Sequence, residues 1–147
     1  KIGSNLFCHG DIVTELAKSY SIKEVNLLIR DWLLGKTIKK DFEKFITDVN
    51  KSHLWSRKYS VLPPDLKNST ACNGVDEVLN TYKVGKIIVG HTPQSTGINS
   101  TCDNKLWRVD VGLSDAFNKH NYQVLEILDN GVSLSRNNFK PIRILEL

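Results

Sequence analysis

Apolar positions recur along this chain with two different periods. Residues 2–8 carry Ile2, Leu6, Phe7 and Cys8 in a short run that ends at His9-Gly10-Asp11, the pattern of a buried strand opening into a loop. After Ser21 the spacing becomes helical. Val25, Leu28, Ile29, Trp32 and Leu33 follow a Ser21-x-x-Glu24 capping box and precede Gly35, which predicts a helix with those five residues on its core face. Ile38, Phe42, Phe45, Ile46 and Val49 predict a second amphipathic helix after Thr37, again with the stripe turned inward.

Residues 52–73 break both periods, with Pro63-Pro64 and a polar Asn68-Ser69-Thr70 stretch, and predict one long irregular loop. Val75, Val78, Leu79 and Tyr82 restore helical spacing from Gly74, and Lys86-Ile87-Ile88-Val89-Gly90 predicts a strand that delivers His91. Residues 106–111 alternate as a half-buried strand. Residues 123–128 and 132–135 flank Asp129-Asn130-Gly131, a hairpin turn signal, and residues 143–147 could form a last strand. The order predicts α/β layers whose C-terminal part is antiparallel, with one domain over residues 1–147 and no internal repeat.

Composition narrows the function classes. With 40% hydrophobic and 24% charged residues the chain is of globular type, and no apolar run approaches the roughly 20 residues of a membrane span. The net charge of +4 is spread along the chain without a basic-aromatic block, so no nucleic-acid partner is expected. The absence of Met leads to the expectation that Lys1 is not a translation start and that an upstream part was removed, cut away or left out. Cys8 sits in the apolar run and is expected to pack, whereas Cys72 and Cys102 lie in polar loops and could bridge in an oxidising compartment. Asn-Ser-Thr sequons at Asn68 and Asn99 matter only for a secretory or endomembrane route; the compartment stays open.

Two histidines stand in equivalent contexts. His9 and His91 each end an apolar strand and open a glycine-containing loop, so both fall at the sheet edge where α/β proteins gather ligands. Paired in this way they are candidate ligands for zinc, iron or manganese, although two imidazoles do not complete a site. Arg57, in Leu54-Trp55-Ser56-Arg57-Lys58-Tyr59, lies in the long loop where a guanidinium could clamp phosphate. The chain has no Gly-x-Ser-x-Gly elbow, no phosphate-binding Gly-x-x-x-x-Gly-Lys, no dinucleotide Gly-x-Gly-x-x-Gly and no Cys-(x)5-Arg loop.

The two histidine segments, taken with their neighbours, carry a family resemblance. Asn5-Leu6-Phe7-Cys8-His9-Gly10-Asp11 resembles the fourth metallophosphoesterase motif, normally a strand followed by His-Gly-Gly. Val89-Gly90-His91-Thr92-Pro93-Gln94, with the later Leu106-Trp107-Arg108-Val109-Asp110-Val111-Gly112, resembles the last motif and the strand after it. The Leu-Trp-x-Arg-x-Tyr segment lies between them, as in the Shewanella-like protein phosphatases of the calcineurin-like phosphoesterase superfamily. The resemblance covers residues 2–128 with gaps.

It implies that the chain is the C-terminal half of a metallophosphoesterase β-sandwich flanked by helices, four-layered α/β/β/α in the complete domain. It further implies a metal-dependent phosphoprotein phosphatase that cleaves phosphomonoesters, phosphotyrosine among them, by in-line attack of a water bridging two metal ions (manganese, iron or zinc). His9 and His91 would ligate the same ion, Arg57 would clamp the phosphate, and Asp110 would support the His91 loop. Asp11 departs from the usual second glycine and is expected to cap a nearby backbone N–H rather than bind metal.

The family's first three motifs are absent, so the implied partners are a phosphoprotein substrate and an N-terminal half supplying the remaining ligands, and residues 1–147 alone are expected to be inactive. A dinucleoside polyphosphate hydrolase, which shares Gly-His-Thr-Pro, and a degenerate binding module are the alternatives.

Overall fold

The computed structural model describes residues 1–114, 116–117, 122–127 and 142–146. The chain starts with strand β1 (Asn5–Cys8) and continues through helices α1 (Thr14–Ser19), α2 (Ile22–Leu33) and α3 (Lys40–Thr47). An irregular stretch then ends in a short 3-10 turn, Thr70–Cys72, that runs into α4 (Asn73–Tyr82). Strands β2 (Lys86–Val89), β3 (Asn99–Thr101) and β4 (Leu106–Arg108) join β1 in one sheet of order β1-β2-β4-β3. β1, β2 and β4 are parallel, and β3 returns antiparallel to β4.

β5 (Gln123–Ile127) and β6 (Ile142–Glu146) form a separate antiparallel ladder with Gln123 opposite Glu146. The mixed α/β arrangement is therefore the expected one. The Asp129-Asn130-Gly131 turn and the strand at 132–135 lie outside the described residues.

Strand register explains the core. Leu6, Ile87 and Leu106 lie opposite one another across β1, β2 and β4, and all three are buried. Alternation places Cys8, Val89 and Arg108 on the same face one step later. That face packs with Leu16 of α1, Phe42, Phe45 and Ile46 of α3, and Val75 and Val78 of α4. The alternate row, Phe7, Ile88 and Trp107, faces the other way, and Phe7 remains 44% exposed.

Two helical stripes differ from expectation. On α2 the capping box forms as expected, Ser21 and Glu24 each accepting the other's backbone N–H, but only Val25 is fully buried. Trp32 and Leu33 are 42% and 71% exposed. The reason is α1, which the pattern did not announce: Leu16 and Ala17 enter the core and α1 makes the main helix contact with α4. Six residues carry too few apolar positions to show a period. Val49 is also exposed, because α3 ends at Thr47 and Asp48 turns into extended backbone before the stripe returns. Cys72 and Cys102, whose pairing the sequence left open, form a disulfide with Cα atoms 5.4 Å apart, tying the end of the long loop to the β3–β4 hairpin.

Candidate active site

Because β1 and β2 are parallel neighbours with Cys8 opposite Val89, the residues that follow each strand emerge side by side. The Gly90 N–H donates to the His9 carbonyl at 2.9 Å, carrying the ladder one step past the strands. The two imidazoles then stand 4.9 Å apart between ring centroids, inclined at 53°. His91 has φ of +63°, a left-handed backbone that non-glycine residues adopt uncommonly and that tends to cluster at functional sites. The Trp55 indole meets the His91 ring edge-on at 5.6 Å. Arg57 Nη2 donates to the His91 carbonyl at 3.2 Å, so the exposed guanidinium sits beside the histidine pair.

The loop carrying Trp55 and Arg57 is held from below by the residues after His9. Gly10 N–H donates to the His53 carbonyl at 2.7 Å and Asp11 N–H to the Ser56 carbonyl at 2.9 Å. A side chain at Gly10 would crowd the backbone, its Cβ lying 3.0 Å from the Ser56 oxygen and 3.1 Å from the His53 oxygen. The Asp11 carboxylate accepts from the backbone N–H of Tyr59 at 2.6 Å and of Ser60 at 2.8 Å, fully buried. It is thus a cap for the loop, as its sequence context implied. Burial raises its pKa, opposed by the Ser60 and Tyr59 hydrogen bonds and the positive charge of Arg108.

Arg108 is the residue that sequence reasoning missed. Its Nε donates to Asn99 Oδ1 at 2.6 Å and its Nη1 donates to the carbonyls of Ser60 and Leu62, so one buried guanidinium binds the far end of the same loop to β3. The available signal was parity: Arg108 shares the inward face with Leu106. Asp110 lies against the His91 loop, its carbonyl accepting from Gln94 N–H at 2.8 Å and its carboxylate from Gly112 N–H at 3.0 Å.

Electrostatically, the site favours neutral imidazole at His91. Burial lowers its pKa first, and the charges of Arg57 and His9 add to the effect. Neutral imidazole is the ligating form. Among the described residues no group of three or more His, Cys, Asp or Glu could hold a metal ion, so the histidine pair could supply at most part of a ligand set. Next to it opens a groove of about 930 Å³ lined by Val13, Val49, Trp55, Arg57, Lys58 and His91, with apolar walls and a basic rim. No helix among the described residues is long and apolar enough to cross a membrane.

Relatives share this segment. The chain is 31% identical over 139 residues to Shewanella-like protein phosphatase 2 of Arabidopsis thaliana, an alignment covering 93% of this chain. It is 30% identical over 118 residues to Shewanella-like protein phosphatase 1 of Plasmodium berghei. The chain is a homologue of the Shewanella-like protein phosphatases.

An uncharacterised protein of Acanthamoeba polyphaga mimivirus is 40% identical over 157 residues, covering 88% of this chain and 62% of that protein. This Shewanella-like phosphatase homologue spans only 34% of the Arabidopsis protein and 32% of the Plasmodium one. Its fold matches that of a cold-active protein tyrosine phosphatase with a TM-score of 0.57 at 24% identity, over 75% of this chain and 31% of that one, which establishes a shared fold. No protein-family model matches the chain.

Proposed function

We propose that this chain is the C-terminal part of a metal-dependent phosphoprotein phosphatase that hydrolyses phosphomonoesters, phosphotyrosine among them. One observation carries the reading: His9, His91 and Arg57 converge at the same end of two parallel strands. Two imidazoles of this spacing are a suitable donor pair for one ion of a manganese, iron or zinc pair. When bound, such metals supply Lewis-acid polarisation of the phosphate and an activated water.

The chain's own residues do the rest. Arg57 offers a fork of N–H donors to the phosphate oxygens and offsets the charge that builds on them in the transition state. Its hydrogen bond to the His91 carbonyl orients it, and the cap from Asp11 to Tyr59 and Ser60 keeps its loop from drifting. Asp110 steadies the loop after His91. The groove beside Trp55 and Lys58 accommodates the chain around the phosphorylated residue.

The remaining ligands come, in this proposal, from an N-terminal half that packs on the Phe7 side of the sheet and completes a four-layer α/β/β/α domain. With only a partial ligand set, residues 1–147 alone are inactive.

The test is hydrolysis of a phosphotyrosyl peptide by the complete protein with manganese. Chelation should abolish turnover and added metal should restore it. His91→Asn should abolish metal-dependent activity, and Arg57→Ala should lower kcat about 10²-fold. Full activity in His91→Asn would overturn the proposal. Cleavage of diadenosine tetraphosphate in preference to the peptide would replace its substrate class.

A further inference from the structure

We infer that Asn68 carries an N-linked glycan and that Asn99 does not. Both asparagines open an Asn-Ser-Thr sequence, yet the fold treats them in opposite ways. Asn68 is exposed on the long loop, with φ of +47° and no side-chain hydrogen bond among the described residues. Thr70, the third residue of its triplet, is exposed as well. Ser69 Oγ accepts from the Ala71 N–H at 3.2 Å and does not engage the Asn68 amide.

Asn99 is committed to the fold. Its Nδ2 donates to Gln94 Oε1 at 3.1 Å and to the Gly97 carbonyl at 2.9 Å, using both amide hydrogens, while its Oδ1 accepts from Arg108 Nε at 2.6 Å. Ser100 and Thr101 are buried in β3, and Thr101 Oγ1 donates to the Pro63 carbonyl. A sugar on Asn99 Nδ2 would remove one of those donors and intrude into the contact between Arg108 and the loop. Chains modified there would not reach this structure.

An independent observation points to the compartment in which such a modification occurs. Cys72, four positions after Asn68, is joined to Cys102, and both are almost fully buried, at 4% and 0% exposure. A buried structural disulfide fits folding in an oxidising compartment, and the eukaryotic secretory lumen, where asparagine is glycosylated, is one of these. The backbone N–H of Asn68 reaches Asp103 Oδ2 at 3.4 Å, next to the second cysteine.

In the reaction, Asn68 Nδ2 bonds to the anomeric carbon of a lipid-pyrophosphate-linked oligosaccharide. The bond from that carbon to the pyrophosphate oxygen breaks, the lipid pyrophosphate leaves with the electron pair, and the amide proton passes to a base of the transferase.

The complete protein, expressed with its natural N-terminal region in a eukaryotic host, provides the test. Amidase removal of N-glycans in heavy-oxygen water should lower the intact mass and convert Asn68 to labelled Asp. Asn68→Asp keeps a residue that tolerates left-handed backbone, and Thr70→Ala leaves Asn68 in place; each should abolish the heavy-oxygen label at position 68, whatever happens at Asn50-Lys51-Ser52. Asn99→Asp should leave the label at position 68 unchanged in whatever protein folds. A non-reducing peptide map should show Cys72 linked to Cys102. An unmodified Asn68 peptide in disulfide-linked protein, a glycan on Asn99, or free thiols at both cysteines would each overturn the inference. None of these outcomes bears on the phosphatase proposal, which has its own assay.

Discussion

Asp11 holds Tyr59 by its backbone: the carboxylate accepts the Tyr59 N–H at 2.6 Å and the adjoining Ser60 N–H at 2.8 Å, in a site closed to solvent. A strand-end loop is thereby locked to the segment that carries Arg57, two residues before Tyr59. Asp11→Ala leaves two buried N–H groups without an acceptor and Arg108 without its nearby negative charge. A loss of about 2–4 kcal/mol is expected in urea unfolding of the complete protein. Asp11→Asn retains an acceptor oxygen and should lose less.

Gly10 is held to its identity by a close approach rather than by an unusual φ. Gly10→Ala sets a methyl 3.0–3.2 Å from the backbone of His53, Leu54 and Ser56 and should cost about 1–3 kcal/mol while displacing the Arg57 loop. Gly90→Ala is the control, since the nearest atom to its added carbon is the His9 oxygen at 3.5 Å, an ordinary contact. Thermal unfolding of both variants should separate them.

His53 is buried, and burial lowers its pKa below the ordinary 6.5, with the Phe45 backbone opposing the effect. Above that value both folded and unfolded states hold it neutral. As pH falls through it the unfolded chain takes up a proton that the folded chain refuses, so stability declines until the lower folded pKa is reached. His91 shifts in the same direction and adds to the decline. Melting temperature should therefore fall between about pH 7 and pH 5, and His53→Gln should flatten the slope.

The Cys72–Cys102 bond closes a loop with a sequence separation of 30. By the chain-entropy relation its removal should cost about 3–4 kcal/mol. Comparing Cys72→Ala/Cys102→Ala with wild type, under non-reducing conditions, measures that loss. A reductant should destabilise wild type and leave the double variant unchanged.

Much of the architecture was legible as pattern. The capping box at Ser21, the helix from Asn73, the strand before His91 and the burial of Phe42, Phe45 and Ile46 are local signals, each written within a few turns or one strand. The role of Asp11 was legible too, because a short carboxylate after His-Gly suits a backbone cap. Other features were hidden. A helix of six residues shows no period, and a β3 strand of three residues, reading Asn-Ser-Thr, looks like loop. The apolar stripe at Trp32 and Leu33 is real, but a stripe states only that a face is apolar, not that a partner covers it.

The sequence by itself determined the periods, the caps and the two strand-to-loop junctions that carry His9 and His91, because these depend on neighbours along the chain. Only the tertiary structure decided that those junctions are adjacent, since the pairing of β1 with β2 joins residues some eighty positions apart. It also decided that Arg108 is an internal brace and that the Asn99 amide is fully hydrogen-bonded while Asn68 is open. Identical triplets and similar polar side chains acquire different chemistry from the contacts that occupy the donors and acceptors of one and leave those of the other to water.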